Sequence, residues 1–228
     1  GELSGTLAHE LNQPLAAILS NAQAARRFLA APDPDMQEIR DILEDIIKDD
    51  KRAGEVIHHL RSLVQKREEV FSEAIDFNEL ARTMEPLVHS ELIARNMACE
   101  LDLAPALPTV LADRVEMQQV LLNLLMNAMD AMRDQPADQR RLKIETSTTA
   151  ADGVRIAVRD QGPGIPEQVM ASIFQPFFTT KTHGLGMGLA ICRSIVESHG
   201  GKMWAENAPG EGALFVVEMP AMPGALAP

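Results

Sequence analysis

The hydrophobic positions in the first part of the chain recur in alternating steps of four and three residues. The first run consists of Leu11, Leu15, Ile18, Ala22, Ala25 and Leu29. A second run extends from Ile39 to Val64, and only Asp50 interrupts it. This spacing is typical of coiled coils and four-helix bundles. Between the runs, Asp35 with Glu38 three residues later is typical of a helix start, and it follows a proline-containing turn, "APDP". We therefore predict an antiparallel hairpin of two long helices.

A single hairpin of this kind has two apolar seams and covers only one of them. Pairing of two copies into a four-helix bundle would cover both seams. We therefore predict that residues 1–68 form a dimerisation module and that the protein is a homodimer.

From residue 69 onward the pattern changes to a mixture of strands and helices. The segments that look like strands are "FSEAIDFNEL", "MACELDLA", "RLKIETSTTA", "GVRIAVRDQG", "KMWAENAP" and "GALFVVEMP". Helical segments begin near residues 79, 114 and 189; Asp113 with Glu116 predicts the start of the second, and Gly200-Gly201 the end of the third. Strands that pair mostly with their neighbours, with helices between them, predict an α+β sandwich over residues 69–222. We expect residues 223–228 to be a disordered tail.

Composition narrows the possible functions. A net charge of −12 argues against binding to a nucleic-acid backbone. No stretch approaches the roughly 20 apolar residues of a membrane span, so we expect attachment to a membrane only through a segment upstream of Gly1. Cys99 and Cys192 lie far apart, which fits a reducing cytoplasm better than a disulfide or zinc framework. Because the chain opens inside an apparent helix, we expect it to be a fragment of a longer protein.

The segment "HELNQPL" places a histidine and a carboxylate one turn before a proline. At 100° per residue, His9 lies about 160° from Leu11, on the face away from the apolar seam. Glu10 can polarise the imidazole or take a proton from it, and the amide of Gln13 lies on the same patch. Pro14 removes one helical hydrogen bond and weakens this turn. The alternative is a solvated surface histidine.

Three further segments together indicate a nucleotide site. In "NLLMNAMDAM", Asn123 and Asn127 share a helix face, and an amide oxygen can bind Mg²⁺ when phosphates and waters complete the coordination. The alternative is two polar positions of an amphipathic helix. In "RDQGPGIPE", Asp160 ends a strand and can accept a hydrogen bond from an adenine amino group. Gly162 and Gly164 follow it and permit close approach of a ligand.

The third segment, "GLGMGLAI", leads into a helix. The backbone amides of Gly184, Gly186 and Gly188, with the helix N-terminus, can bind phosphates. Lys181 lies just before them, within reach of a γ-phosphate. The alternative is a flexible surface loop.

The motifs "HELNQPL", "NLLMNAMDA", "DQGPGIP", "IFQPFFTTK" and "GLGMGLAI" follow one another in the order and spacing of bacterial sensor histidine kinases. The resemblance covers nearly the whole chain. It implies a dimerisation and histidine-phosphotransfer domain at 1–68 and an ATP-binding domain at 69–222, with a mixed sheet layered against helices. It also implies that the phosphoryl group passes from ATP to a histidine, and then to an aspartate of a response-regulator receiver domain.

The resemblance assigns roles to individual residues. His9 would be the phosphoacceptor and Glu10 its acid/base partner. Asn127 would bind Mg²⁺, Asn123 would lie beside the phosphates, and Asp160 would bind the adenine. The glycines of both loops would shape the nucleotide pocket and its lid: Gly162, Gly164, Gly184, Gly186 and Gly188.

The chain departs from the motifs of this family at two places, and two alternative functions stay open. Many relatives have Thr or Asn at Gln13, the position that is thought to orient water for dephosphorylation of the regulator, and the lid segment 182–184 is short. A water-using ATPase of the chaperone, mismatch-repair and topoisomerase type shares the fold, but those enzymes resemble one another in a glutamate base where this chain has Asn123. The other alternative is a dimeric scaffold with a decayed ATP site.

Overall fold

The structure is a computed structural model, and it describes residues 2–30, 32, 34–64, 72–181, 186–207 and 212–222. In the two N-terminal helices it describes the side chains of residues 13–30, 34–47, 49–50 and 53 only. The chain divides into two units, Gly1–Glu68 and Glu69–Pro228. The predicted domain boundary and the predicted tail both lie outside the described residues.

The first unit is the predicted helical hairpin. Helix α1 spans Glu2–Leu29 and helix α2 spans Met36–Val64. Asp35 caps α2, because its carboxylate accepts hydrogen bonds from the backbone amides of Gln37 and Glu38 at 3.0 and 3.1 Å. Helix α1 continues through Pro14, and the weakening of that turn stays a prediction.

The hairpin covers only part of its apolar surface. Ala25, Ile39, Ile42 and Ala53 are buried between the helices. Other large apolar side chains are exposed on the same two helices: Leu15, Leu19, Phe28, Leu29, Met36, Leu43 and Ile47. The described part of this unit therefore leaves apolar side chains on both helices uncovered by the hairpin itself.

The second unit is built on a mixed five-stranded sheet. Its strands are β2 (Ala98–Asp102), β4 (Arg141–Thr148), β5 (Val154–Asp160), β6 (Lys202–Asn207) and β7 (Ala213–Met219), in the order β2-β4-β5-β7-β6. Strands β2 and β4 are parallel and the other pairs are antiparallel. The predicted mixed sheet is therefore confirmed, and the β4–β5 hairpin turns at Asp152, which has a φ of 55°.

Three helices pack against this sheet: α3 (Phe77–Ala94), α4 (Arg114–Ala131) and α6 (Gly188–Ser198). The core lies between these helices and the alternate strand residues that face them, such as Leu142 and Ile144. Short helix α5 (Glu167–Met170) follows β5. Among the described residues, no helix is long and apolar enough to cross a membrane.

The structure corrects the sequence analysis at the start of this unit. The strand expected over "FSEAIDFNEL" contains only β1, Glu73–Ile75, because Asp76 caps α3 through the amides of Asn78 and Glu79. Strand β3, Val110–Ala112, was not predicted, and it pairs with β1 in a separate two-stranded sheet. Strand β3 ends directly before Asp113, the residue that caps helix α4.

Asp113 caps α4 as predicted, because its carboxylate accepts from the amides of Val115 and Glu116. However, the backbone amide of Asp113 donates to Nε2 of His199 at 3.1 Å. In a full capping box the side chain of Glu116 would accept this hydrogen bond instead. The side chain of His199 is buried, and its Nδ1 lies 2.9 Å from the carbonyl oxygen of Ile195. This histidine thus joins the end of α6 to the start of α4.

Candidate nucleotide and phosphoacceptor site

Helix α4 presents a row of polar side chains one turn apart. Asn123 and Asn127 lie four residues apart on one face, and Asp130 follows Asn127 by three. Nζ of Lys181 lies 2.9 Å from Oδ1 of Asn127 and 2.7 Å from Oδ2 of Asp130. The segment that precedes the predicted lid is therefore tied to α4 by one ammonium group.

Asp130 is also bound from the other side. Nη1 of Arg95 donates to its Oδ1 at 2.8 Å. Burial by itself would raise the pKa of Asp130, but hydrogen bonds from Lys181 and Arg95 hold that pKa below its ordinary value. Asp130 is therefore an ionised carboxylate between two cations.

Asn123 lies between α4 and the start of α6. A Cβ added to Gly188 would be 3.7 Å from its Oδ1. The side chain also bonds the thiol of Cys192, whose pKa is raised to about 12, mainly by burial. A neutral amide beside a buried, protonated thiol offers no group that would deprotonate water near neutral pH.

Asp160 is 2% exposed at the end of β5. Its Oδ1 accepts from the amides of Gly162 at 2.8 Å and Ala213 at 3.2 Å. Burial raises the pKa of Asp160, and these two hydrogen bonds oppose the rise. The two amides fix the orientation of the carboxylate, so that its position is set before a ligand arrives.

The loop after β5 is held by Asn207, the last residue of β6. The side chain of Asn207 accepts from the amide of Ile165 at 2.7 Å and donates to the carbonyl oxygen of the same residue at 2.7 Å. Gly164 has a φ of 77° in this loop, and a Cβ on it would be 3.0 Å from Oδ1 of Asn207. Gly162 packs against Ala131, the last residue of α4, so the loop and that helix end meet.

Gly186 and Gly188, at the start of α6, differ in how much space surrounds them. Gly186 has a φ of 65°, and a Cβ there would overlap the carbonyl group of Phe178. At Gly188 a Cβ would make only ordinary contacts with Asn123. The protein itself therefore leaves room for a methyl group at Gly188, at the N-terminus of α6. Gly184 lies outside the described residues.

The residues present fit a nucleotide-bound magnesium ion. Among the described residues, no cluster of three or more His, Cys, Asp and Glu side chains could hold a metal by itself. The amide oxygen of Asn127 already accepts a cation, the ammonium of Lys181, and oxygen donors suit Mg²⁺. Mg²⁺ commonly uses one or two protein oxygens and completes its coordination with phosphates and water.

The predicted phosphoacceptor lies in the other unit. His9 and Glu10 are within α1, and their side chains lie outside the description. Gln13 is exposed on the same helix, one turn after His9, and it is engaged in an interaction. The roles of these three residues stay predictions.

Sequence reasoning missed Asp130, Arg95 and Asn207. Asp130 lies at i+3 from Asn127 on the same helix face, and this spacing was a usable signal. Arg95 and Asn207 reach the site only through the tertiary fold, and no local pattern in the sequence marks them.

Comparison with known proteins assigns both parts of the chain to known families. Residues 1–69 match the His Kinase A (phospho-acceptor) domain, and residues 112–223 match the histidine kinase-, DNA gyrase B- and HSP90-like ATPase family. The solved catalytic domain of histidine kinase ThkA is 36% identical, with a TM-score of 0.60 over 68% of this chain and 99% of that one. The chain belongs to the histidine kinases. Its order of domains is that of a two-component kinase core.

Other histidine kinases resemble this one over almost its full length. The sensor protein FixL of Bradyrhizobium diazoefficiens is 41% identical over 223 residues, which is 97% of this chain and 43% of FixL. A crystal structure of ThkA in complex with the response regulator TrrA has a TM-score of 0.73 at 29% identity, over 98% of this chain and 62% of that one. The chain spans less than half the length of the curated relatives that it matches.

Proposed function

We propose that this histidine kinase core transfers the γ-phosphoryl group of Mg²⁺-bound ATP to His9, and then to an aspartate of a response-regulator receiver domain. The observation that carries the proposal is a phosphoacceptor domain on the same chain as an ATPase-type site that has Asn123 where hydrolytic relatives have a base.

The second unit would bind the nucleotide through groups that the fold holds in place. The carboxylate of Asp160 would accept a hydrogen bond from the adenine amino group. The amides of Gly162 and Ala213 both donate to Oδ1, which leaves Oδ2 for the adenine. Asn127 would hold Mg²⁺, which offsets phosphate charge when it is bound. The phosphates would lie near the N-terminus of α6 and close to Gly188, where the protein leaves space for them.

Transfer to His9 needs a neutral imidazole nitrogen. That nitrogen attacks the γ-phosphorus, a nitrogen–phosphorus bond forms, and the bond to the oxygen bridging the β- and γ-phosphates breaks, so ADP leaves. Glu10 takes up the ring proton as the bond forms, which keeps the phosphorylated ring neutral. In the second transfer Glu10 returns the proton to the ring, a carboxylate oxygen of the receiver aspartate attacks the same phosphorus, and the nitrogen–phosphorus bond breaks. His9 therefore leaves as a neutral imidazole.

The first unit is proposed to dimerise. The seven exposed large apolar side chains of α1 and α2 form more apolar surface than a lone hairpin normally exposes to water. A second copy would bury this surface in a four-helix bundle. Two free cysteines and the use of ATP fit the cytoplasm as the place of action.

Regulator dephosphorylation is the proposed second activity. The amide of Gln13 can make one donor and one acceptor contact to a water molecule, so it can orient that water toward a phosphoaspartate. Its side chain is longer than Thr or Asn, so we expect looser positioning of the water and modest activity.

Incubation of the purified chain with γ-labelled ATP tests the proposal. A kinase gives an acid-labile label on the protein. An ATPase gives free phosphate without stable protein label, and a scaffold with a decayed site gives neither. Either of the last two results would contradict the proposed function.

A further inference from the structure

The ammonium group of Lys181 lies where a cation would be bound by α4. Its Nζ contacts an amide oxygen of Asn127 and a carboxylate oxygen of Asp130, at 2.9 and 2.7 Å. These are the two kinds of oxygen that hard cations prefer. One side chain of the protein thus occupies the donor oxygens that a divalent cation would seek.

Asp130 is well suited to retain this ammonium. Its other oxygen is held by Arg95 at 2.8 Å. Arg95 in turn donates from Nε to Glu91 at 3.1 Å, and its carbonyl oxygen accepts from Arg140 at 2.8 Å. The carboxylate is therefore fixed in one orientation, with Oδ1 bound to Arg95 and Oδ2 bound to Lys181.

A divalent cation on Asn127 would conflict with this arrangement. Both cations would then share one oxygen and lie within a few ångströms of each other, where like charges repel strongly. Lys181 must therefore leave Asn127 when the metal-bound nucleotide enters. The nucleotide phosphates then offer it a new anionic partner.

We propose that Lys181 is a resident cation that occupies the metal-binding oxygen of α4 until Mg²⁺-nucleotide displaces it, and that Asp130 is the positioning residue that holds it there. The inference rests on the proposed function, because it assumes that this site binds Mg²⁺-nucleotide. It gives Asp130 a role that opposes metal binding, although a carboxylate beside a metal site ordinarily favours it.

The test is binding of ADP to the 228-residue chain by titration calorimetry, in MgCl₂ and in EDTA. Asp130→Asn keeps the shape of the side chain but weakens its hold on Lys181. We expect it to tighten Mg²⁺-ADP binding about threefold, the factor that corresponds to a half-exposed ion pair. The tightening should be smaller in EDTA, where nothing competes for Asn127. In a Lys181→Met background, Asp130→Asn should no longer tighten binding.

Asp134→Asn is the matched control, because it removes the same charge from an exposed residue four positions further on. We expect it to leave the affinity unchanged. Weaker Mg²⁺-ADP binding by Asp130→Asn would identify Asp130 as a metal-attracting group and overturn the inference. So would an unchanged affinity, or equal tightening in EDTA. If wild type does not bind ADP, the result contradicts both the proposed function and the inference. If wild type and the variants all bind ADP, their relative affinities test the inference alone.

Discussion

Gly188 provides a sharp test of where the phosphates lie. It is the first residue of α6, and its φ is not in the left-handed region. A methyl group added there would lie 3.7 and 3.9 Å from Oδ1 and Cγ of Asn123, which are ordinary contact distances. The folded protein alone therefore gives no reason for a glycine at this position.

Gly188→Ala should consequently fold at least as well as wild type. Replacing Gly by Ala in a helix stabilises a protein by about 0.5–1 kcal/mol, and the first turn is expected to give the lower figure. For a domain of this size, about 0.5 kcal/mol corresponds to a rise of about 1–2 °C in Tm.

Nucleotide binding should change in the opposite direction. If the phosphates approach the N-terminus of α6, the methyl group overlaps them, and overpacking of this kind costs about 1–3 kcal/mol. That range corresponds to about a 5- to 160-fold loss of ADP affinity. Calorimetry gives the affinity and thermal unfolding gives the stability, on the same samples.

Gly186→Ala is the contrasting variant. With a φ of 65° and the Phe178 carbonyl in the way, it should lower Tm as well as nucleotide affinity. The reasoning is refuted if Gly188→Ala binds Mg²⁺-ADP as tightly as wild type, because the phosphates would then lie elsewhere.

Three further predictions concern stability, charge and the second activity. His199→Leu should lower the free energy of unfolding by about 1–3 kcal/mol in urea titrations, because the partly buried amide of Asp113 loses its acceptor. The free energy of unfolding of wild type, compared with that of Asp160→Asn, should rise as the pH falls through the raised pKa of Asp160. The reason is that protonation removes a buried charge from the folded state. A decrease over that pH range would refute this account. Gln13→Ala should slow the dephosphorylation of a phosphorylated receiver domain, while labelling of His9 stays near the wild-type level; loss of both activities would show that Gln13 only supports the helix.

The elements that the sequence predicted well are those with a local cause. Asp35 and Asp113 cap the helices that they precede, and the turn at Asp152 joins β4 to β5. The backbone amides of Gly200 and Gly201 end α6 by donating hydrogen bonds to the carbonyl oxygens of Glu197 and Val196, at 3.0 and 2.9 Å. Each of these signals depends on residues a few positions apart, so the sequence alone contains it.

The features that were missed depend on contacts between distant residues. Strand β3 has three residues, too few for a pattern, and its partner β1 lies far back in the chain. Lys181 meets Asp130 across 51 positions, and Asn207 meets Ile165 across 42. The motifs therefore predicted candidate residues for a nucleotide site, but not the ion pair of Lys181 with Asp130 or the contacts that Asn207 makes with Ile165.

The central claim is that His9 receives the phosphoryl group from ATP bound in the other unit. The most direct measurement is labelling by γ-labelled ATP of wild type, His9→Gln and the control His89→Gln, which changes an exposed histidine of α3. ADP affinity is measured on the same samples. The account predicts acid-labile label on wild type and His89→Gln, and none on His9→Gln, with equal ADP affinity in all three. Acid-labile label that persists on His9→Gln, or rapid release of free phosphate by it, would contradict the account.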